Sequence, residues 1–199
     1  MIILGIDPGT LIAGYGVIER NGKSLTLLDV GVIKNAAEVS MPLRLKKIYS
    51  TLCNVIDRFH PDEFAIETAF YSKNAQSALK IGQARGVSIL AGVNHEIPVT
   101  EYSPREIKKA VTGKGAASKV QVQYMIMSML KLKSTPKHFD STDALAVAVC
   151  HAFKISVPRS GFPLNESSFR PKKQRASKNW KSFIEAHPEK IVKFSNKNI

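Results

Sequence analysis

Four carboxylates in this 199-residue chain sit where the surrounding residues are otherwise apolar or turn-forming. Asp7 follows the run Ile2-Ile3-Leu4 and precedes Pro8-Gly9 in "GIDPGT", and Glu67 closes "EFAIE". Both segments read as short buried strands, so each strand ends in an acid. Asp140 and Asp143, in "HFDSTDALAVA", are spaced i, i+3 and project from one face of a helix at its first turn. Each aspartate has a structural alternative: Asp7 as a turn former before Pro-Gly, Asp140 as an N-cap and Asp143 as its capping partner. Capping does not explain why two adjacent buried strands should both end in acids. Four carboxylates gathered together raise one another's pKa unless a cation neutralises them. An all-oxygen set of this kind suits Mg²⁺ or Mn²⁺ rather than zinc. Two such ions about 4 Å apart activate a water and stabilise the departing oxygen of a phosphodiester.

Cations and aromatics lie close to these acids in the sequence. Lys108, Lys109, Lys114 and Lys119 surround "TGKG", where a glycine-bearing loop could bring amines and backbone N–H groups to phosphates; the alternative is a solvated basic loop. Phe70 and Tyr71 follow Glu67 by three and four residues, near enough to stack on unpaired bases, with core packing as the alternative. His138, two residues before Asp140, reads as an isolated surface imidazole, a ligand or proton shuttle being the other reading.

These residues need elements to position them. Residues 2–7, 14–19 and 25–33 read as an antiparallel meander, with Gly9, Gly14, Asn21 and Gly22 at the turns. Ser40 and Pro42 open a helix over 41–59 that stops at His60-Pro61. A strand at 63–67, a helix over 74–94 and a strand at 97–102 follow. Ala78, Gly82 and Gly86 share one face of the second helix, which predicts close packing there. Capping boxes at Ser103/Glu106 and Ser118/Gln121 start two more helices, and a last, nearly all-apolar helix covers about 140–154. A right-handed crossover from the third strand lays the fourth beside the first, giving an α/β fold with one mixed sheet ordered 3-2-1-4-5 and helices on both faces. Asp7 and Glu67 then emerge at one sheet edge, where the chain order reverses and open α/β sheets bind ligands.

Composition sets the remaining bounds. The net charge of +13, from 29 Lys and Arg against 16 Asp and Glu, favours a polyanionic partner, with nucleic acid ahead of an acidic membrane surface. Cys53 and Cys150 fall in separate apolar helices and read as buried thiols in a reducing compartment. No secretory pattern follows Met1 and no apolar run approaches the ~20 residues of a membrane span, so a cytoplasmic protein is expected. Residues 1–155 form the expected domain, and 156–199, with ten Lys and Arg against three Glu, a basic and flexible tail.

"GIDPGTLIAGYGVIE", "FAIETAFYSKNAQSALKIGQARGV", "GAASKVQVQYMI" and "FDSTDALAVAV" resemble, in order, the corresponding segments of the RuvC family of Holliday junction resolvases, within the ribonuclease H-like superfamily. The resemblance covers about residues 1–155. It implies a ribonuclease H-like homodimer, Mg²⁺ dependence, and paired nicks across four-way junction DNA that leave 5′-phosphate and 3′-hydroxyl ends. It further implies association with the branch-migration proteins RuvA and RuvB. Asp7, Glu67, Asp140 and Asp143 match the family's catalytic and metal-binding acids. Lys108 and Lys119 match residues near the scissile phosphate, Lys114 less closely, and Phe70 matches a wedge aromatic. The Ala78/Gly82/Gly86 face falls where the family dimerises. The tail, with its "RPKKQR" run, has no counterpart in the pattern and is expected to contact DNA nonspecifically.

Two other functions compete with this one. "GIDPGT" also resembles the first phosphate motif of the actin, hexokinase and chaperone ATPases, which are about twice this length and carry further glycine-rich loops. A noncatalytic DNA-binding module would keep the fold and charge while using the acids only as caps.

Overall fold

The computed structural model describes residues 1–68, 75–136 and 138–155. Phe70, Tyr71 and the tail from 156 onward lie outside the described residues. Strands β1 (Ile2–Asp7), β2 (Ile12–Asn21) and β3 (Ser24–Lys34) form the meander, followed by helix α1 (Met41–Phe59) and strand β4 (Glu63–Glu67). Helix α2 (Ala75–Asn94), strand β5 (Val99–Tyr102) and helices α3 (Pro104–Thr112), α4 (Lys119–Met129) and α5 (Phe139–Ile155) complete the order. The sheet runs β3-β2-β1-β4-β5, with β1 parallel to β4 and β4 parallel to β5.

Alternation along the strands builds two cores. Ile3 and Ala65 face one side with Ile107, Val122, Ile126 and the apolar length of α5. Leu4, Ile6, Phe64 and Ile66 face the other with Ile48, Leu52 and Ile56 of α1 and Ala84 and Ala91 of α2. Burying each such Leu, Ile or Phe contributes about 1.5–3 kcal/mol. The period of two therefore puts Glu63, Ala65 and Glu67 on the α5 side of β4, and Ile3, Gly5 and Asp7 on the α5 side of β1. Cys150 is buried in the first core, whereas Cys53 is only half-buried against the second; both are free thiols. No helix among the described residues is long and apolar enough to cross a membrane.

Three local readings need correction. Gly14 lies inside β2, paired with Asp7, because the sheet needs a residue without Cβ there: one would fall 1.9 Å from the Asp140 carbonyl. Ser40 precedes α1 without a side-chain cap bond, and Pro near the first helical position together with His60 in the left-handed region (φ 46°) bounds that helix instead. Strand β5 starts at Val99, two residues late, because the Pro98 carbonyl accepts from Phe64 N–H while Pro98 itself has no N–H to pair. Both capping boxes are complete.

Candidate active site

Strand register brings Asp7 and Glu67 together. Ile6 pairs with Ile66 across the parallel β1–β4 ladder, so the next residue of each strand emerges at the same edge. The third and fourth acids come from α5, which lies hard against β1 and β2. A Cβ on Gly5 would fall 2.3 Å from the Ala144 carbonyl oxygen, and one on Gly16 would fall 2.6 Å from the Leu145 side chain. With Gly14 under Asp140, three glycines make a trough that lets the first turn of α5 approach the end of β1. Gly5 and Gly16 escaped sequence reasoning because an isolated strand glycine signals close backbone approach without saying of what.

Asp7, Glu67 and Asp143 line one cavity of about 170 Å³, with Lys108 and Lys119 among its walls and Ile107, Val122 and Ala146 as apolar lining. Lys119 Nζ donates to Asp143 Oδ2 at 2.8 Å, and that bond chiefly holds the ammonium above the usual lysine range. Burial raises Asp7 from 3.8 to about 8, with Glu67, Asp143 and Asp140 adding repulsion. Burial likewise raises Glu67 from 4.5 to about 7, reinforced by Asp143 and opposed by Lys119 and Lys108. The acids therefore sense one another, and two of them retain protons near neutral pH.

The remaining predicted residues are distributed around this cavity. Asp140 opens onto an adjoining cleft of about 450 Å³ shared with Gly9, Thr10, Leu11, Ser77 and Lys80. Lys114 lines a separate cavity of about 440 Å³ with Val120, Gln121 and Tyr124, away from the acids. Lys109 lies in the last turn of α3, where its carbonyl accepts from Gly113 N–H. His138 is half-buried, and its carbonyl accepts from Ser141 Oγ. Phe70 and Tyr71 are outside the described residues.

No three His, Cys, Asp or Glu side chains among the described residues are drawn together closely enough to hold a metal ion as they stand. The donor set nonetheless fits a hard divalent cation: the ligands are carboxylate oxygens alone, and beyond the effect of burial the neighbouring carboxylates raise Asp7 and Glu67 further, a repulsion that a cation would relieve.

Similarity to known proteins agrees with this arrangement. The protein from Aliivibrio salmonicida described as crossover junction endodeoxyribonuclease RuvC is 57% identical over 151 residues, covering 76% of this chain and 86% of that protein. Thermus thermophilus RuvC, solved in complex with a Holliday junction substrate, superposes with a TM-score of 0.74 at 33% identity over 78% of this chain and 94% of that one. A second structure of Thermus thermophilus RuvC gives 0.73 at 34% identity, over 78% and 95% of the two chains. Residues 3–151 match the family model for crossover junction endodeoxyribonuclease RuvC, and with a five-stranded sheet of the same ribonuclease H-like kind the chain belongs to that family.

Proposed function

We propose that this protein resolves Holliday junctions in DNA recombination and repair, nicking two strands of a four-way junction at the acid cavity of each of two subunits. The carrying observation is the convergence of Asp7, Glu67 and Asp143 with Lys108 and Lys119 in one cavity at the sheet edge. Asp7, Glu67, Asp140 and Asp143 would hold Mg²⁺, or Mn²⁺ in its place, two ions per subunit during the reaction. Bound there, the ions would supply an activated water and charge stabilisation at the leaving oxygen.

The side chains of the chain itself divide the remaining work. Lys108, half-buried, and Lys119, exposed and bonded to Asp143, offer ammonium groups to the phosphate beside the acids. The apolar lining from Ile107, Val122 and Ala146 limits water around the reacting phosphate. Lys114, from its own cavity with the exposed ring of Tyr124, would grip a duplex arm rather than the scissile phosphate. Phe70 and Tyr71 would stack on bases at the junction centre. Attack by water on the phosphorus with loss of the 3′ oxygen, breaking the P–O3′ bond, would leave 5′-phosphate and 3′-hydroxyl ends.

A homodimer is supported by α2. A Cβ at Gly82 or Gly86 would meet nothing within 4 Å, so the close packing expected on this face does not come from the described residues. Leu79, Leu90 and Val93 are exposed on the same helix. A second copy would cover this stripe, and two-fold symmetry would present identical cavities to the two equivalent strands of a junction. RuvA and RuvB as partners, and a cytoplasmic location, follow from the family reading. Incubating the protein with a labelled four-way junction, with and without Mg²⁺ and beside a linear duplex, tests the function: Mg²⁺-dependent nicks in the junction alone support it, and an intact junction refutes it.

A further inference from the structure

The α5 side of the sheet carries a second polar cluster, at the end of β4 opposite Glu67. His151, 2% exposed, approaches Glu63 Oε2 with Nε2 at 3.3 Å and Tyr102 Oη with Nδ1 at 2.8 Å. Burial holds the imidazole below the usual histidine range, so it is neutral and has a single N–H. A carboxylate only accepts, so that N–H is on Nε2 and donates to Glu63, while the Tyr102 hydroxyl donates to Nδ1. Each donor and acceptor along the relay is matched.

The relay joins the elements that carry the acid cavity. Glu63 and Glu67 are four residues apart on one face of β4, about 13 Å. Asp143 and His151 are eight residues apart on α5, about 12 Å. Helix and strand thus run side by side with matched spans, acids at one end and the Glu63–His151 contact at the other, with Tyr102 reaching between them. Tyr102 is also the register partner of Glu67, and its carbonyl accepts from Thr68 N at 2.8 Å and Thr68 Oγ1 at 3.2 Å. Three residues beyond His151, Lys154 Nζ lies 4.6 Å from the Tyr102 ring centroid and 2.7 Å from Glu106 Oε1, whose carboxylate also caps the helix bearing Lys108.

We propose that Glu63, His151 and Tyr102 are positioning residues for junction cleavage: by fixing α5 along β4 and β5, they set the separation of Asp143 from Glu67. The inference rests on the nuclease reading and deepens it. Nothing in the relay reaches the cavity, so its removal should alter metal affinity and rate without altering DNA affinity.

The test compares the parent with Tyr102→Phe, Glu63→Gln and Glu63→Leu in the full chain, at a temperature where circular dichroism shows all four folded. Tyr102→Phe and Glu63→Leu should cut a saturating junction roughly tenfold more slowly or worse, since small misplacements of reacting groups carry penalties of that size. Both should need severalfold more Mg²⁺ for half-maximal thermal stabilisation, a readout independent of cleavage, while binding the junction as the parent does. Glu63→Gln keeps the acceptor and should match the parent. If Tyr102→Phe fails to fold, His151→Gln makes the same comparison with one bond kept. The proposal is overturned if the variants melt earlier yet cut at the parental rate and respond to Mg²⁺ equally, or if Glu63→Gln is as impaired as Glu63→Leu. A parent that leaves junctions whole defeats the nuclease reading instead, and the Mg²⁺ melting comparison still decides the relay.

Discussion

Asp7 holds a buried charge conflict that a bound cation would relieve. Its pKa of about 8 and the value of about 7 at Glu67 mean that the folded state keeps protons which the unfolded chain releases near 3.8 and 4.5. Between those limits the native state binds more protons than the unfolded state, so metal-free stability falls as pH rises from about 4 to about 8. Melting curves in chelator should show this decline, and Mg²⁺ should raise the melting temperature more at pH 8 than at pH 5. Asp7→Asn removes the conflict, and should stabilise the metal-free protein by ~1–3 kcal/mol, measured by urea titration at pH 8. Lys119→Ala and Lys114→Ala should separate: the first slows cleavage by roughly 10–100-fold at saturating junction, the second weakens binding and leaves the saturated rate intact. The acids were legible because a charge closing an apolar run is conspicuous. The division of the lysines was not, since Lys114 and Lys119 are five residues apart yet line different cavities.

The decisive element is α5, and its place depends on side chains that are missing. Gly5, Gly14 and Gly16 let the helix lie against two strands at once, and a Cβ at the first would fall 2.3 Å from a helix carbonyl oxygen. Gly5→Ala should therefore cost about 3 kcal/mol or more in urea-denaturation stability and lower the cleavage rate of whatever protein remains folded. Helix starts were readable wherever the signal was self-contained. The boxes at Ser103/Glu106 and Ser118/Gln121 need only residues three apart, and both formed. Ser40 has the right residue type but makes no cap bond, and β5 begins where Pro98 allows rather than where the apolar pattern begins. Why α5 must be so apolar became clear only in space, with the sheet on one side and α3 and α4 on the other.

For the whole molecule, one handedness rule was enough to order the sheet. A right-handed crossover places β4 beside β1, and this alone puts Asp7 next to Glu67. Pairing of the molecule with itself was less legible, because a face of small residues signals contact equally within or between chains. The open space over Gly82 and Gly86 favours a partner. Gly86→Arg should leave the monomer fold unchanged by circular dichroism, since no neighbour among the described residues lies within 4 Å, and should elute as a monomer in size-exclusion chromatography with light scattering where the parent is expected to elute as a dimer. The tail's net +7 is expected to add electrostatic attraction for DNA. Removing residues 157–199 should weaken junction binding and flatten its salt dependence in titrations between 50 and 200 mM salt, the range over which counterion release changes affinity by about 10³–10⁵ for six to ten phosphate contacts.

Everything catalytic in this account passes through the cluster of acids at the edge of the sheet. The most direct measurement compares the parent and Asp7→Asn on one end-labelled four-way junction with Mg²⁺, reading binding and strand scission in the same samples. The account predicts equal binding, paired nicks by the parent and a loss of scission of at least about 10²-fold in the variant. Scission by Asp7→Asn at the parental rate would contradict it.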